Sequence, residues 1–185
     1  MEKKIVYFER AGKLNTQETL ELAKVRGEEL GLRTFVIAST GGFTARKALE
    51  IFADAEVTFV FVGENPGDFP RDLEAELEAE GHSTVFLHDL NPGIPEDVDN
   101  AYRRFGEGMK VAAQCVAVAV DAGLVPKGAE VGAVGGTGPW AFPEGGGADT
   151  AIVMEAIGGT GYTERYKPTK KPVWRKIHEV VCKPR

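Results

Sequence analysis

The fold is decided by residues 34–46, which read TFVIASTGGFTAR. The run Thr34–Ala38 is short and apolar, which is typical of a buried parallel strand. The residues that follow it are small, polar and rich in glycine, so they predict a tight turn. Behind the turn, one apolar face recurs at helical spacing through Ala45, Ala48, Leu49 and Phe52. This order of strand, turn and helix predicts one unit of an α/β sheet.

The same alternation of strand and helix continues along the chain. Apolar periodicity predicts strands at 57–62, 84–87 and 130–134, and helices at 16–30, 70–80 and 99–122. Ile5–Phe8 fits a first edge strand, whereas Thr150–Met154 fits either a strand or a short helix. Because no repeat or linker interrupts the pattern, we expect a single domain over residues 1–185.

Four residues predict where helices begin, end or break. Asn15 stands three residues before Glu18, which is the spacing of a capping box at the start of the first helix. Gly31 is suited to a left-handed helix end. Gly106 and Gly108 weaken the longest helix and predict either close packing or a break.

Composition excludes several classes of protein. The chain has 185 residues, of which 43% are hydrophobic, and its formal net charge is −6. This apolar content is too high for a disordered chain, and an acidic balance argues against nucleic-acid binding. The longest apolar stretch, 111–120, is about half the length needed to span a bilayer. Two cysteines and the lack of an apolar leader predict a cytoplasmic protein without membrane contact.

The charge is unevenly distributed. Residues 162–185 hold eight basic and two acidic residues, a local net charge of +6, so the remainder carries −12. The basic stretch fits a solvated edge strand whose lysines block edge pairing, and it also fits a phosphate-binding arm. In a homo-oligomer, the basic tail of one subunit would meet an acidic helix of another.

The first glycine-rich loop, Ser39–Thr44, has the features of a phosphate site. Its two glycines let the backbone come close to a ligand, and Ser39, Thr40 and Thr44 supply hydroxyl groups. The helix behind it directs unpaired N–H groups and a positive dipole end at the same place. A helix cap and tight turn without a ligand would favour the same residue types.

The second glycine-rich loop, Gly135–Trp140, follows the strand at 130–134. It contains neither the dinucleotide-binding glycine pattern nor a P-loop, so neither site is predicted. Phe43, Trp140 and Phe142 could together offer an aromatic face to a flat ring, or they could simply pack against neighbours.

No catalytic group stands out. His82, His88 and His178 lack the spacing of metal ligands, and His82 is expected in a solvated loop. Cys115 lies in the most apolar part of a helix, and Cys182 has no activating neighbour in sequence. Asp149 fits either a cap or the mouth of a pocket. We therefore predict no metal site and assign no catalytic residue.

Residues 18–62 resemble the C-terminal α/β domain of pyruvate kinase. The likeness rests on the turn Thr40-Gly41-Gly42-Phe43-Thr44-Ala45-Arg46, and it continues at 124–130 and 147–153. The barrel that carries phosphoryl transfer in pyruvate kinase has no counterpart here, so kinase activity is not implied. The chain thus resembles the stand-alone pyruvate kinase α/β-domain family of archaea and some bacteria, whose members are associated with FMN.

The resemblance implies a three-layer α/β/α sandwich with short N- and C-terminal extensions. Its mostly parallel sheet would have five strands in the order 3-2-1-4-5, with strand 5 antiparallel, which favours a strand at Thr150–Met154. Strands 1 and 4 are neighbours in that order, so the two glycine-rich loops would lie side by side at the carboxyl ends of the strands.

We therefore expect the chain to bind a phosphorylated small molecule, with FMN as the suspected cofactor. The phosphate would be held by Ser39, Thr40, Gly41, Gly42, Phe43 and Thr44. The ring or ribityl part would be approached by Gly63, Asn65, Gly136, Thr137 and Thr150. The alternatives are a regulatory sensor of a sugar phosphate without chemistry of its own, and an interaction module whose glycines are only turns.

Overall fold

The computed structural model describes residues 3–141, 145–163 and 177–185. Its strands are β1 (Val6–Phe8), β2 (Thr34–Ala38), β3 (Thr58–Gly63), β4 (Ser83–Phe86), β5 (Glu130–Gly135), β6 (Thr150–Glu155) and β7 (Ile177–Pro184). Its helices are α1 (Thr16–Leu30), α2 (Phe43–Ile51), α3 (Arg71–Ala79), α4 (Glu96–Arg103), α5 (Glu107–Asp121) and α6 (Thr160–Thr163).

The strands form one mixed, mostly parallel sheet in the order β1–β7–β6–β5–β2–β3–β4. The α/β class is therefore confirmed, and Thr150–Met154 lies in a strand that runs antiparallel to β5. The five-stranded expectation is wrong, because β7 and β1 continue the sheet beyond β6. From β4 to β6 the neighbours are the ones that the resemblance implies.

The chain's last strand is not an edge strand. β7 pairs with β6 on one side and with β1 on the other, so the edge-strand interpretation of the basic tail is wrong for 177–184. β1 forms this edge of the sheet, as predicted for the first apolar run, Ile5–Phe8. Residues 164–176 of the basic tail lie outside the described residues.

The longest predicted helix is in fact two helices. α4 ends at Arg103 and α5 begins at Glu107, because Gly106 takes a φ of 132°, which side-chain-bearing residues rarely adopt. At Gly108 the other predicted outcome, close packing, is observed. A Cβ atom there would lie 2.6 Å from Asp149 Oδ1, so only glycine lets α5 approach the start of β6 this closely.

Two hydrophobic cores lie on opposite faces of the sheet, as alternation along β2 requires. Phe35 and Ile37 point into the core beneath α1, α2 and α3, whereas Val36 points into the core beneath α5. The Phe35 ring occupies the space left by Gly27 of α1 and Gly132 of β5, where a Cβ atom would collide with it. None of the helices among the described residues could cross a membrane.

Sheet direction brings several loops to one edge. β1 and β7 run in the same direction as β5, because β7 and β5 are both antiparallel to β6. The carboxyl ends of β1, β2 and β5 therefore lie at one edge of the sheet. α1 and α2 begin there, since each follows one of these strands, and α5 begins beside Gly135 at the end of β5.

Candidate functional site

The loop after β2 presents a row of unused backbone donors. Ser39 N–H donates to the carbonyl of Val62 at 2.8 Å, and Ser39 Oγ accepts from Ala45 N–H at 3.2 Å. Between them, the N–H groups of residues 40–44 have no acceptor among the described residues. Gly42 forms the N-cap of α2 with a φ of 78°. These amides adjoin the positive end of the helix dipole, where an anion is stabilised.

Thr44 adds a hydroxyl group to this row. Its residue is only 3% exposed, yet its hydroxyl forms no hydrogen bond with any described residue. The oxygen atom itself is not fully buried, so it reaches solvent and can donate to a ligand. Thr44 therefore adds one accessible hydroxyl donor to the row of free amides.

The loop after β5 lies beside this row. Ile37 of β2 pairs with Val134 of β5, so the two loops leave neighbouring strands at the same edge. Thr137 N–H, however, already donates to Asp149 Oδ2 at 3.1 Å, and its carbonyl accepts from Gly146 N–H at 2.6 Å. The amide of Thr137 is therefore not available to a ligand in this structure.

Asp149 joins three segments of the chain. Its side chain is fully buried and accepts hydrogen bonds from Gly12 N–H at 2.9 Å, from Thr137 N–H and from the Thr150 hydroxyl at 2.9 Å. The sequence allowed Asp149 to be either a helix cap or part of a pocket mouth, and its hydrogen bonds fit neither role. The carboxylate instead fixes the loop after β1 against the loop after β5.

Lys13 also lies at this edge, and the sequence analysis did not predict it as a site residue. It lies in the loop between β1 and α1, and its Nζ lies 4.0 Å from the centre of the Phe43 ring. Asn15 does not form the predicted capping box, because its amide donates instead to the carbonyl of Arg10 at 2.7 Å. The only signal in the sequence was a Gly-Lys pair shortly after an apolar run.

The remaining predicted residues lie in two places. Gly63 and Asn65 lie at the end of β3, whereas Gly136 and Thr150 adjoin the loop after β5. Gly63 is buried beside the first loop, and a Cβ atom there would lie 3.5 Å from the Ser39 carbonyl oxygen. Asn65 is exposed and donates to Asp68 at 3.0 Å. Gly136 packs against the backbone of Ala148, and Thr150 is fully buried with its hydroxyl on Asp149. Gly136 thus packs the second loop against Ala148, and Thr150 is bonded to Asp149, which holds the same loop through Thr137.

Exposed apolar side chains lie at the same edge of the sheet as the free amides. Leu14 is 92% exposed, Trp140 is 71% exposed and Phe43 is 39% exposed, and all three belong to loops or a helix start at this edge. Phe142, the other aromatic residue predicted here, lies outside the described residues. These side chains offer apolar surface next to hydrogen-bond donors, which suits a ligand with one charged end and one flat apolar end.

The cavities and titratable groups lie elsewhere. A cavity of about 470 Å³ lies between α1 and the strands β1 and β7, and another of about 300 Å³ adjoins Phe59 and His82. Neither of these two cavities is lined by a predicted site residue. His82 does lie in a loop, but it is not solvated, because its ring packs edge-on against Phe59 and partial burial lowers its pKa.

The cysteines and metal ligands give no further candidate among the described residues. Burial raises the pKa of Cys115 and of Cys182 to about 12, so neither thiol is a nucleophile at neutral pH. Within the described ranges, no group of three or more His, Cys, Asp or Glu side chains could hold a metal ion.

A comparison with protein-family models finds no match to this chain. The pyruvate kinase-like family therefore stays a prediction, carried by the turn at residues 40–46 and by the order of the elements.

Proposed function

We propose that this protein binds a phosphorylated small molecule, FMN, at the carboxyl ends of β2 and β5. The observation that carries the proposal is the row of five free amides at residues 40–44, together with the unpaired hydroxyl of Thr44. Phosphate monoesters carry close to two negative charges at neutral pH and several acceptor oxygens. Such a group would satisfy donors that otherwise face only water.

The geometry of the first loop suits close approach by a phosphate group. A Cβ atom at Gly41 would meet nothing within 4 Å, so the space in front of this loop is open. Gly42 turns the chain into α2, and its left-handed conformation lets successive amides point toward one place. In this arrangement Thr40 and Thr44 would add hydroxyl donors on the two sides of the phosphate.

FMN is favoured over other phosphorylated molecules by the exposed aromatic side chains at the same edge as the amides. Phe43 and Trp140 are exposed aromatic side chains next to a polar site, and an isoalloxazine ring would cover them. The resemblance to the stand-alone pyruvate kinase α/β-domain family, a three-layer sandwich associated with FMN, points to the same ligand. We assign a binding function and no reaction.

The second candidate is a sensor of a sugar phosphate. It is favoured by one observation, namely that Thr137 N–H is already bonded to Asp149, which leaves the second loop with fewer donors for a flavin ring. Both candidates use the same phosphate site.

The test combines identification and binding. Mass spectrometry of protein purified without denaturation should detect FMN, and calorimetry should show tight binding of FMN and much weaker binding of riboflavin, which lacks the phosphate. Binding of fructose 1,6-bisphosphate but not FMN would establish the sensor instead. Binding of none of the three would contradict the phosphate site itself.

A further inference from the structure

Lys13 is an exposed lysine whose ammonium group lies over an aromatic ring at the edge that carries the free amides. Lys3, Lys24, Lys47 and Lys110 each approach a carboxylate, but Lys13 forms no salt bridge with the described residues. Its ammonium group instead lies against Phe43, the first residue of α2. The ring attracts the ammonium group, whereas the partial positive charge at the N-terminus of α2 opposes it. A dianion between the ammonium group and the helix end would attract both.

The backbone of Lys13 is held firmly in this place. Its carbonyl accepts from the Thr16 hydroxyl at 2.8 Å, and the same hydroxyl accepts from Ala148 N–H at 3.0 Å. On the other side, the preceding residue, Gly12, donates its N–H to Asp149. Gly147 packs against the Lys13 backbone so closely that a Cβ atom on Gly147 would lie 3.1 Å from Lys13 Cα. A surface lysine whose backbone is fixed from two sides loses less entropy when its side chain binds a ligand.

The Asp149 carboxylate is the buried part of this arrangement. It is completely shielded from water, and a buried charge is tolerated only when hydrogen bonds replace the water. Its three donors come from the loop after β1, the loop after β5 and the start of β6. The carboxylate therefore determines where the loop that carries Lys13 lies relative to the row of amides.

We infer that Lys13 is the phosphate-binding cation of this site, and that Asp149 is a positioning residue that holds the Lys13 loop beside the free amides. This inference rests on the proposed function and specifies its ligand class. A lysine, five amides and a hydroxyl suit the terminal phosphate of a monoester, which carries nearly two charges. Phosphodiesters, with one charge per phosphate, would bind more weakly, and neutral analogues more weakly still.

The test measures binding of FMN and riboflavin by calorimetry to the full chain and its variants. Lys13→Met removes the charge and keeps most of the side chain's length. Lys47→Met is the matched control, because Lys47 lies on α2 but pairs with Glu50 at 2.7 Å. Lys13→Met should weaken FMN binding about 10- to 100-fold, reduce its dependence on salt, and leave riboflavin binding unchanged. Lys47→Met should change neither.

A double-mutant cycle tests the role of Asp149. Asp149→Asn should weaken FMN binding in the wild-type background but have little further effect in the Lys13→Met background, because both changes act through the same contact. If Asp149→Asn does not fold, Thr16→Val takes its place, since it releases the Lys13 carbonyl from the other side.

Three outcomes would overturn the inference. Equal FMN affinity in Lys13→Met and Lys47→Met would remove Lys13 from the site and leave the proposed function standing. Additive effects in the cycle would mean that Asp149 does not act through Lys13. A wild-type chain that binds neither FMN nor fructose 1,6-bisphosphate would overturn both the inference and the proposed function.

Discussion

Replacing Thr44 with valine should separate ligand binding from stability. The hydroxyl of Thr44 has no partner within the described residues although the residue is 3% exposed, so its removal breaks no intramolecular hydrogen bond. Valine keeps the shape and the β-branch, and the unfolding free energy should stay the same or rise by up to about 1 kcal/mol. One hydrogen bond to a charged phosphate contributes about 1.5–3 kcal/mol, so FMN affinity should fall about 10- to 100-fold.

Thr16 provides the matched control for the stability part of this prediction. It is also a buried threonine at a helix start on the same edge, but its hydroxyl donates to the Lys13 carbonyl and accepts from Ala148 N–H. Thr16→Val should therefore lower the unfolding free energy by about 1–3 kcal/mol. Urea unfolding and FMN calorimetry measure both quantities. A Thr44→Val protein that is clearly destabilised and binds FMN as tightly as the wild type would refute the reasoning.

Further predictions concern the fold around the site. Phe35→Ala should lower the unfolding free energy by about 3–5 kcal/mol in urea, because the ring fills the space between Gly27 and Gly132; a loss below about 1 kcal/mol would contradict this packing. Gly108→Ala should be destabilising by about 1–3 kcal/mol despite the better helix propensity of alanine, whereas Gly67→Ala, whose Cβ meets nothing within 4 Å, should be nearly neutral. Burial lowers the pKa of His82, so the folded state binds its proton less readily than the unfolded state. Stability should therefore fall as the pH drops below about 6.5, and His82→Asn, which keeps an acceptor for Phe59 N–H, should remove that part of the pH dependence.

Local signals explain what the sequence could predict. The helix at 16–30 ends at Gly31, whose φ of 68° is the expected left-handed end. The β2–turn–α2 unit likewise depends on neighbours in the chain, because its glycines and hydroxyls act within a few residues of one another. The row of free amides follows from the same local geometry, and it was the part of the candidate site that could be located without coordinates.

Long-range contacts explain what could not be predicted. β7 pairs with β1 from the opposite end of the chain, and this pairing, together with the Gly12–Asp149 hydrogen bond, places Lys13 at the carboxyl edge. Asp149 contacts Gly12, which is 137 positions away, so no local pattern revealed its role. The break between α4 and α5 depends on one positive φ at Gly106, where the pattern allowed either a break or close packing.

The central claim is that the amides of residues 40–44 bind a phosphate group, and solution NMR tests it most directly. Amide ¹H and ¹⁵N resonances of the ¹⁵N-labelled full chain would be followed during separate titrations with FMN and riboflavin. We predict that FMN moves the amide protons of residues 40–44 downfield, as hydrogen bonds to an anion do, and that riboflavin leaves them in place. FMN binding that shifts other resonances but not these five would contradict the account.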